Sequence, residues 1–348
     1  VEGNANGDFT GGLVGISYEN GTISGCYTIA TVTSEVGNCT GGLIGANNGS
    51  INDSHAICSV TGNEAVGGLV GENSSNGSID NSYADGDVTG DVRVGGLIGF
   101  NDFTITDSYF TGEVTATGDY TGGLAGESSD SIQGCHADAT VTSAGDYVGG
   151  LAGLSRGATT SYATGTVTGG SYVGGLIGES YRSSGSDVID ASYSTSAVTG
   201  ESYIGGLVGS NEIDISASYA KGSVTGVEED SIGCEYAGGL IGNNTAPRRN
   251  SYAWGDVSGY EYVGGLCGGI DEDGIVMDSY AKGAVSGNEH VGGLTGVICQ
   301  GKVIHSYSTG RPTGESYVGG LSGSIVTGGI FEDTGNFQCP RVAGKRSR

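Results

Sequence analysis

The chain has 348 residues, 72 of them glycine and only three proline, and a formal net charge of −26. That charge argues against nucleic acid as a partner, which needs a basic footprint on the protein. No run of 18 apolar residues is present to make a transmembrane helix, and glycine at about one residue in five disfavours long helices.

Val1-Glu2-Gly3 matches the Val-Thr-Gly that closes a motif described below, so the chain starts inside a repeat. With Val rather than Met at position 1, it is expected to be a processed protein that has lost a signal peptide. From Gly11 onward the pentapeptide Gly-Gly-Leu-x-Gly recurs twelve times, beginning at Gly11, Gly41, Gly67, Gly95, Gly122, Gly149, Gly174, Gly205, Gly238, Gly264, Gly292 and Gly319. The eleven steps span 308 residues, a mean of 28, and run individually from 25 to 33. A period of this size means units that bury their apolar faces against their neighbours.

Between successive pentapeptides lies a second motif, clearest as Ser-Tyr-Ala-x-Gly-x-Val-Thr-Gly at 82–90 and 161–169. Its short runs of Val, Ile, Thr and Tyr, punctuated by Gly, Asn, Ser and Asp, are strand-and-turn chemistry. About three short strands fit into 28 residues, and no helical period is present. The expected fold is all-β: a parallel β-solenoid of about twelve 28-residue coils. At a strand spacing of ~4.8 Å this makes a rod of roughly 55 Å. The array is assigned to residues 1–337 and a basic C-terminal tail to 338–348.

Stacking like residues on like produces columns. Sixteen of the 19 tyrosines fall in two of them. One follows the Ser of the second motif, and the other lies two residues before the Gly pair. Asn47, Asn73, Asn101, Asn211 and Asn244 form a turn column shared with Ser17, Ser128, Ser155 and Ser180. Stacked Asn side chains can bond to one another and to turn backbone. Within Ser-Tyr-Ala-x-Gly-x-Val, alternation puts Ser, Ala, Gly and Val on one face and Tyr on the other. In Val-Gly-Gly-Leu the two apolar residues have opposite parity, so a bulge or corner is expected at the Gly pair.

Eight cysteines are present: Cys26, Cys39, Cys58, Cys135, Cys234, Cys267, Cys299 and Cys339. An even count in an apparently secreted chain makes all eight disulfide candidates, within the ends or between subunits. Against this, Cys26 and Cys135 merely replace the Ser of the motif. None forms a Cys-x-x-Cys pair. Seven glycosylation candidates stand in Asn-x-Ser/Thr: Asn20, Asn38, Asn48, Asn52, Asn73, Asn76 and Asn243.

Catalytic signatures are sparse. His55, His136 and His290 sit in tyrosine columns and read as structural substitutes; His305 is the fourth histidine. There is no His-Glu-x-x-His and no phosphate-binding loop. Glu228-Glu229-Asp230 and Asp271-Glu272-Asp273-Gly274 read as exposed turns rather than calcium or catalytic sites. Acids also recur ahead of the second tyrosine column, at Glu64, Asp91, Asp119, Asp146, Glu201, Glu235, Glu261, Glu289 and Glu315. Stacked like charges repel, so these are expected to be solvated or bridged by cations. No catalytic residue, cofactor or metal site is assigned.

Gly-Gly-Leu-x-Gly followed by Ser-Tyr-Ala-x-Gly-x-Val-Thr-Gly resembles the GLUG-motif repeat over nearly the whole chain. That resemblance implies a secreted or surface protein of bacteria or archaea, of adhesin or envelope type, with no shared catalytic residue. The expected function is a non-enzymatic structural subunit of an extracellular or cell-envelope assembly, such as a surface layer, sheath or filament. It would polymerise with copies of itself through uncapped solenoid ends and flanks, reinforced by disulfides. An adhesin or glycan-binding module is the alternative, and a polysaccharide-degrading enzyme the weakest reading.

Overall fold

The computed structural model describes residues 2–4, 7–74, 76–183, 187–227, 236–326 and 328–334. The regular elements among them are β-strands stacked in parallel pairs, coil upon coil. One coil illustrates the rest. Its strands are Glu64–Gly67, Val70–Asn73, Ser78–Asp80 and Tyr83–Gly90. Each stacks in register on its counterparts above and below: Val66 between Thr40 and Val94, Val70 between Ile44 and Ile98, Ile79 between Ile51 and Ile105, Val88 between Val60 and Val114. Three of the four resulting sheets hold twelve strands each. The expected β-solenoid is therefore the fold.

Each coil has four sides where the sequence suggested about three. The additional side carries Ile51, Ile79, Ile105, Ile132, Ile189 and Ile215, all buried. Its distance from the preceding Asn or Ser column varies from three residues (Ser155 to Ala158) to nine (Ser180 to Ile189). An apolar column with no fixed spacing leaves no periodic trace.

The interior is filled by buried side chains. The Leu of the pentapeptide is at most 1% exposed from Leu43 through Leu294. The second Gly and the Leu form the anticipated corner, and the backbone N–H of each corner Leu donates to the Leu one coil on, as Leu97 does to Leu124 at 2.9 Å. The small face of the Tyr strand packs against this corner: Ala84 lies over Gly68 and Ala163 over Gly150. Alternation holds for Ser82, Ala84 and Val88, which are buried, and Tyr83, which is half-exposed; Gly86, read onto the same inward face, is only half-buried, and its counterpart Gly165 is exposed.

The Asn column is an internal hydrogen-bond ladder. Asn47 Nδ2 donates to Asn73 Oδ1 at 2.8 Å, Asn73 to Asn101 at 2.8 Å, and Asn211 to Asn244 at 2.9 Å. All five are fully buried, so each amide must find its partners inside the protein.

Among the described residues, the terminal coils leave strand edges open. Thr10–Gly11, Val14–Ser17 and Thr22–Ser24 pair on one side only, as do Ser316–Gly319, Ser322–Ile325 and Ile330–Glu332. Core columns consequently emerge at both ends: Leu13 is 50% and Val318 43% exposed.

Candidate functional site

Two aromatic ladders run along the outside. The first stacks eleven rings from Tyr27 to Tyr307, with centroids 4.7–5.4 Å apart. The second runs from Tyr120 to Tyr317 at 4.4–5.2 Å. His55 and His136 replace tyrosine in the first and His290 in the second, as anticipated. His305 instead lies at a corner, 3.4 Å from Asp278 and 3.6 Å from Asp333. In the second ladder Tyr120, Tyr147, Tyr172, Tyr203, Tyr262 and His290 all have φ between 52° and 64°. The left-handed conformation costs a non-glycine residue about 1–2 kcal/mol, and it belongs to the column whatever the side chain, since Cys39, Ala65 and Arg93 share it at φ 60°, 52° and 57°. Beside the first ladder, Trp254 lies between Lys221 and Lys282, whose ammoniums sit 4.8 and 5.1 Å from its ring.

The six cysteines among the described residues are all unpaired, so the intrachain disulfides entertained for Cys26, Cys39, Cys58, Cys135, Cys267 and Cys299 are not formed between them. Cys234 and Cys339 lie outside the described residues, as do the acids at 228–230, Glu235 and the basic tail 338–348. The six thiols occupy five different columns. The two that share one, Cys26 and Cys135, are four coils apart, roughly 19 Å at the strand spacing and far beyond disulfide reach. They act as serines, as read. Each Ser of this column accepts a hydrogen bond from the backbone N–H of the preceding one, and the Cys135 Sγ likewise accepts from Ser108 N–H at 3.4 Å. Burial pushes the Cys135 thiol up to about 12 and Cys58 to about 11. Cys39 is raised further, by burial and then by its hydrogen bond to Glu72.

Of the sequons, Asn20, Asn38 and Asn76 are exposed, and Asn48, Asn52 and Asn243 are half-buried. Asn73 is a correction: its side chain is fully buried and its amide is committed to Asn101 and Gly77. The folded chain offers no glycosylation acceptor there.

The acid column relieves its repulsion by several means. Arg93 bridges Glu64 at 2.9 Å and Glu127 at 2.7 Å. Asp119 and Asp146 accept backbone N–H groups of the following coil, from Asp146 at 2.9 Å and Ser171 at 2.8 Å. Glu261 and Glu289 stand in register on adjacent strands, and with His290 their ligand atoms all lie within 4.8 Å of one another. Composition showed each of these residues separately; their convergence depends on the coil register. The Asp271–Asp273 turn borders an open groove of about 690 Å³ that also touches Glu212, Thr245 and Cys299.

One carboxyl titrates near neutrality. Burial, and then the charge of Glu212, push Glu179 up from 4.5 to about 7. A carboxyl whose folded value lies above its unfolded value holds its proton in the folded state between about pH 4.5 and 7, so stability falls as pH rises through that window. Thermal unfolding across this range is expected to show that decline, and Glu179→Gln to flatten it.

Fold and surface together define a β-solenoid repeat protein whose repeated features are structural columns. The family model described as "The GLUG motif" matches residues 62–89, 90–115, 200–225 and 259–286. These four stretches are GLUG-motif repeats. Searches of curated proteins and of solved structures give no match.

Proposed function

We propose that the chain is a non-enzymatic structural subunit of an extracellular or cell-envelope assembly, built by stacking one solenoid on the next and by lateral contact of their flanks. The observation that carries this reading is the in-register stacking of near-identical coils in four parallel sheets, whose outward features repeat as columns rather than converging on one cleft. A surface that repeats coil by coil offers the same contact many times along its flank, which suits lateral assembly with another copy. Stacking solenoid on solenoid would extend the same parallel pairing, and a head-to-tail contact of that kind propagates into filaments. Exposed sequons and the acidic surface suit an extracellular setting. The half-exposed Cys26 and Cys299 are candidates for disulfides between subunits.

The second reading, an adhesin or glycan-binding module, draws on Trp254, which is 39% exposed between two lysines on an otherwise acidic rod. Negative-stain electron microscopy with and without reductant separates the two. Filaments, hoops or sheets are expected, loosening when thiols are reduced. Single rods of roughly 55 Å under both conditions would reject the structural reading and direct attention to glycan binding.

A further inference from the structure

We propose that Glu261, Glu289 and His290 form a binding site for a divalent cation of borderline softness, with Zn²⁺ as its representative. The site would clip two neighbouring coils together on the outer face of the rod.

The argument begins with charge. Glu261 and Glu289 lie directly opposite each other on the strands Glu261–Gly264 and Glu289–Gly292, both half-buried. Like charges in that relation destabilise a sheet. Elsewhere in the column Arg93 or backbone N–H groups answer the carboxylates. Among the described residues, the one cationic partner within ion-pair range of this pair is His290, whose Nε2 is 4.0 Å from Glu261 Oε1. That distance is too long for a hydrogen bond.

The second observation is the imidazole itself. His290 interrupts a ladder that is tyrosine on both sides, clamped between Tyr262 at 5.0 Å and Tyr317 at 4.4 Å. Its orientation is therefore already fixed, and little rotamer entropy remains to be lost on binding. Nδ1 is buried with no hydrogen-bond partner among the described residues, and Nε2 is the nitrogen that faces Glu261. A fixed, half-buried imidazole facing two in-register carboxylates supplies one nitrogen and two oxygens within reach of a single cation.

The donor set selects the class of ion. One nitrogen and two carboxylates leave an open position in a tetrahedral site, the pattern of zinc with three protein ligands. Calcium requires six to eight oxygens, more than this site supplies. With metal–ligand bonds of about 2.0–2.2 Å, tetrahedral ligands lie roughly 3.4 Å apart. The present spacing of up to 4.8 Å closes by rotation of the two glutamate side chains.

The test uses the full chain, stripped with chelator and titrated with Co²⁺, followed by Zn²⁺ as competitor. One equivalent is expected to give the visible absorption of four-coordinate Co²⁺ without a thiolate charge-transfer band, and Zn²⁺ to displace it. His290→Tyr restores the residue that neighbouring coils carry and should fold with an unchanged metal-free Tm. It is expected to weaken binding at least about tenfold, while His136→Tyr leaves binding intact. Absence of binding, equal binding by His290→Tyr, or a thiolate band would each overturn the proposal.

Discussion

Gly150→Ala is expected to destabilise the solenoid by about 3 kcal/mol, the upper end of what overpacking a core costs, although it adds one methyl group. Gly150 is the second glycine of its pentapeptide, where the chain turns the corner between Val148–Gly149 and Ala152–Ser155. A Cβ there would run into the carbonyl oxygen of Gly175 in the next coil and would stand 2.9 Å from the Ala163 methyl across the interior. The first obstacle is backbone, and it is held in place: Gly150 N–H donates to Gly174 at 3.1 Å, and Leu151 N–H to Leu176 at 2.8 Å. Relief requires moving one coil away from the next, which breaks the ladder that defines the fold. In a stacked array the damage stays near its origin. Hydrogen exchange should accordingly show lost protection in the coils flanking Gly150 and little change near Val32 or Val285. Adding Ala163→Gly removes the side-chain contact only. Partial recovery in the double variant is the expected result; full recovery would mean that the backbone approach does not constrain the site.

The same corner explains how much of the fold the sequence could convey. Gly-Gly-Leu recurs because the geometry tolerates nothing larger at the pair and fills the interior with the leucine, so a packing requirement appears directly as a motif. The Val, Tyr and Asn columns stand at nearly constant offsets from that motif and were legible for the same reason. The fourth side was not, since its Ile column follows loops of changing length. The left-handed backbone at Tyr120, Tyr147 and Tyr172 also left no sign, because tyrosine is not a residue that signals positive φ. The conformation comes with the corner before the Gly pair, since Cys39, Ala65 and Arg93 adopt it in the same column. At the candidate cation site, the acids and the histidine were each visible in their columns, but repetition made them read as structural. What sets His290 apart is its position beside an in-register acid pair, with all three ligand atoms within 4.8 Å, which only the folded register reveals. Asn73 illustrates the opposite error: a sequon read locally as a modification site is a rung of the buried amide ladder.

Arg248→Met is expected to stabilise the protein by about 1–4 kcal/mol, as replacement of a buried charge by a well-packed apolar side chain often does. Arg248 occupies the inward column of the fourth side, in register between Ile215 and Val276, and is fully buried. Its Nη1 donates to Cys267 Sγ at 3.3 Å, while Nε and Nη2 have no partner. Burial lowers the affinity of the guanidinium for its proton. Burial also raises the Cys267 thiol, and Arg248 draws it back down. Among the described residues the guanidinium thus rests on one weak acceptor, with no carboxylate bonded to it. Methionine has comparable length, matches its apolar neighbours and leaves no donor stranded. Cys267→Ala alone should have the opposite sign and cost about 3–5 kcal/mol, because it strips a buried charge of the one acceptor it has among the described residues. Once Arg248 is methionine, the same cysteine substitution should cost much less, so the two changes will be strongly non-additive in urea unfolding. A destabilised Arg248→Met would instead require that the interior hold an anion for this guanidinium, and stability that rises with added chloride or sulfate only in the unsubstituted chain would identify it.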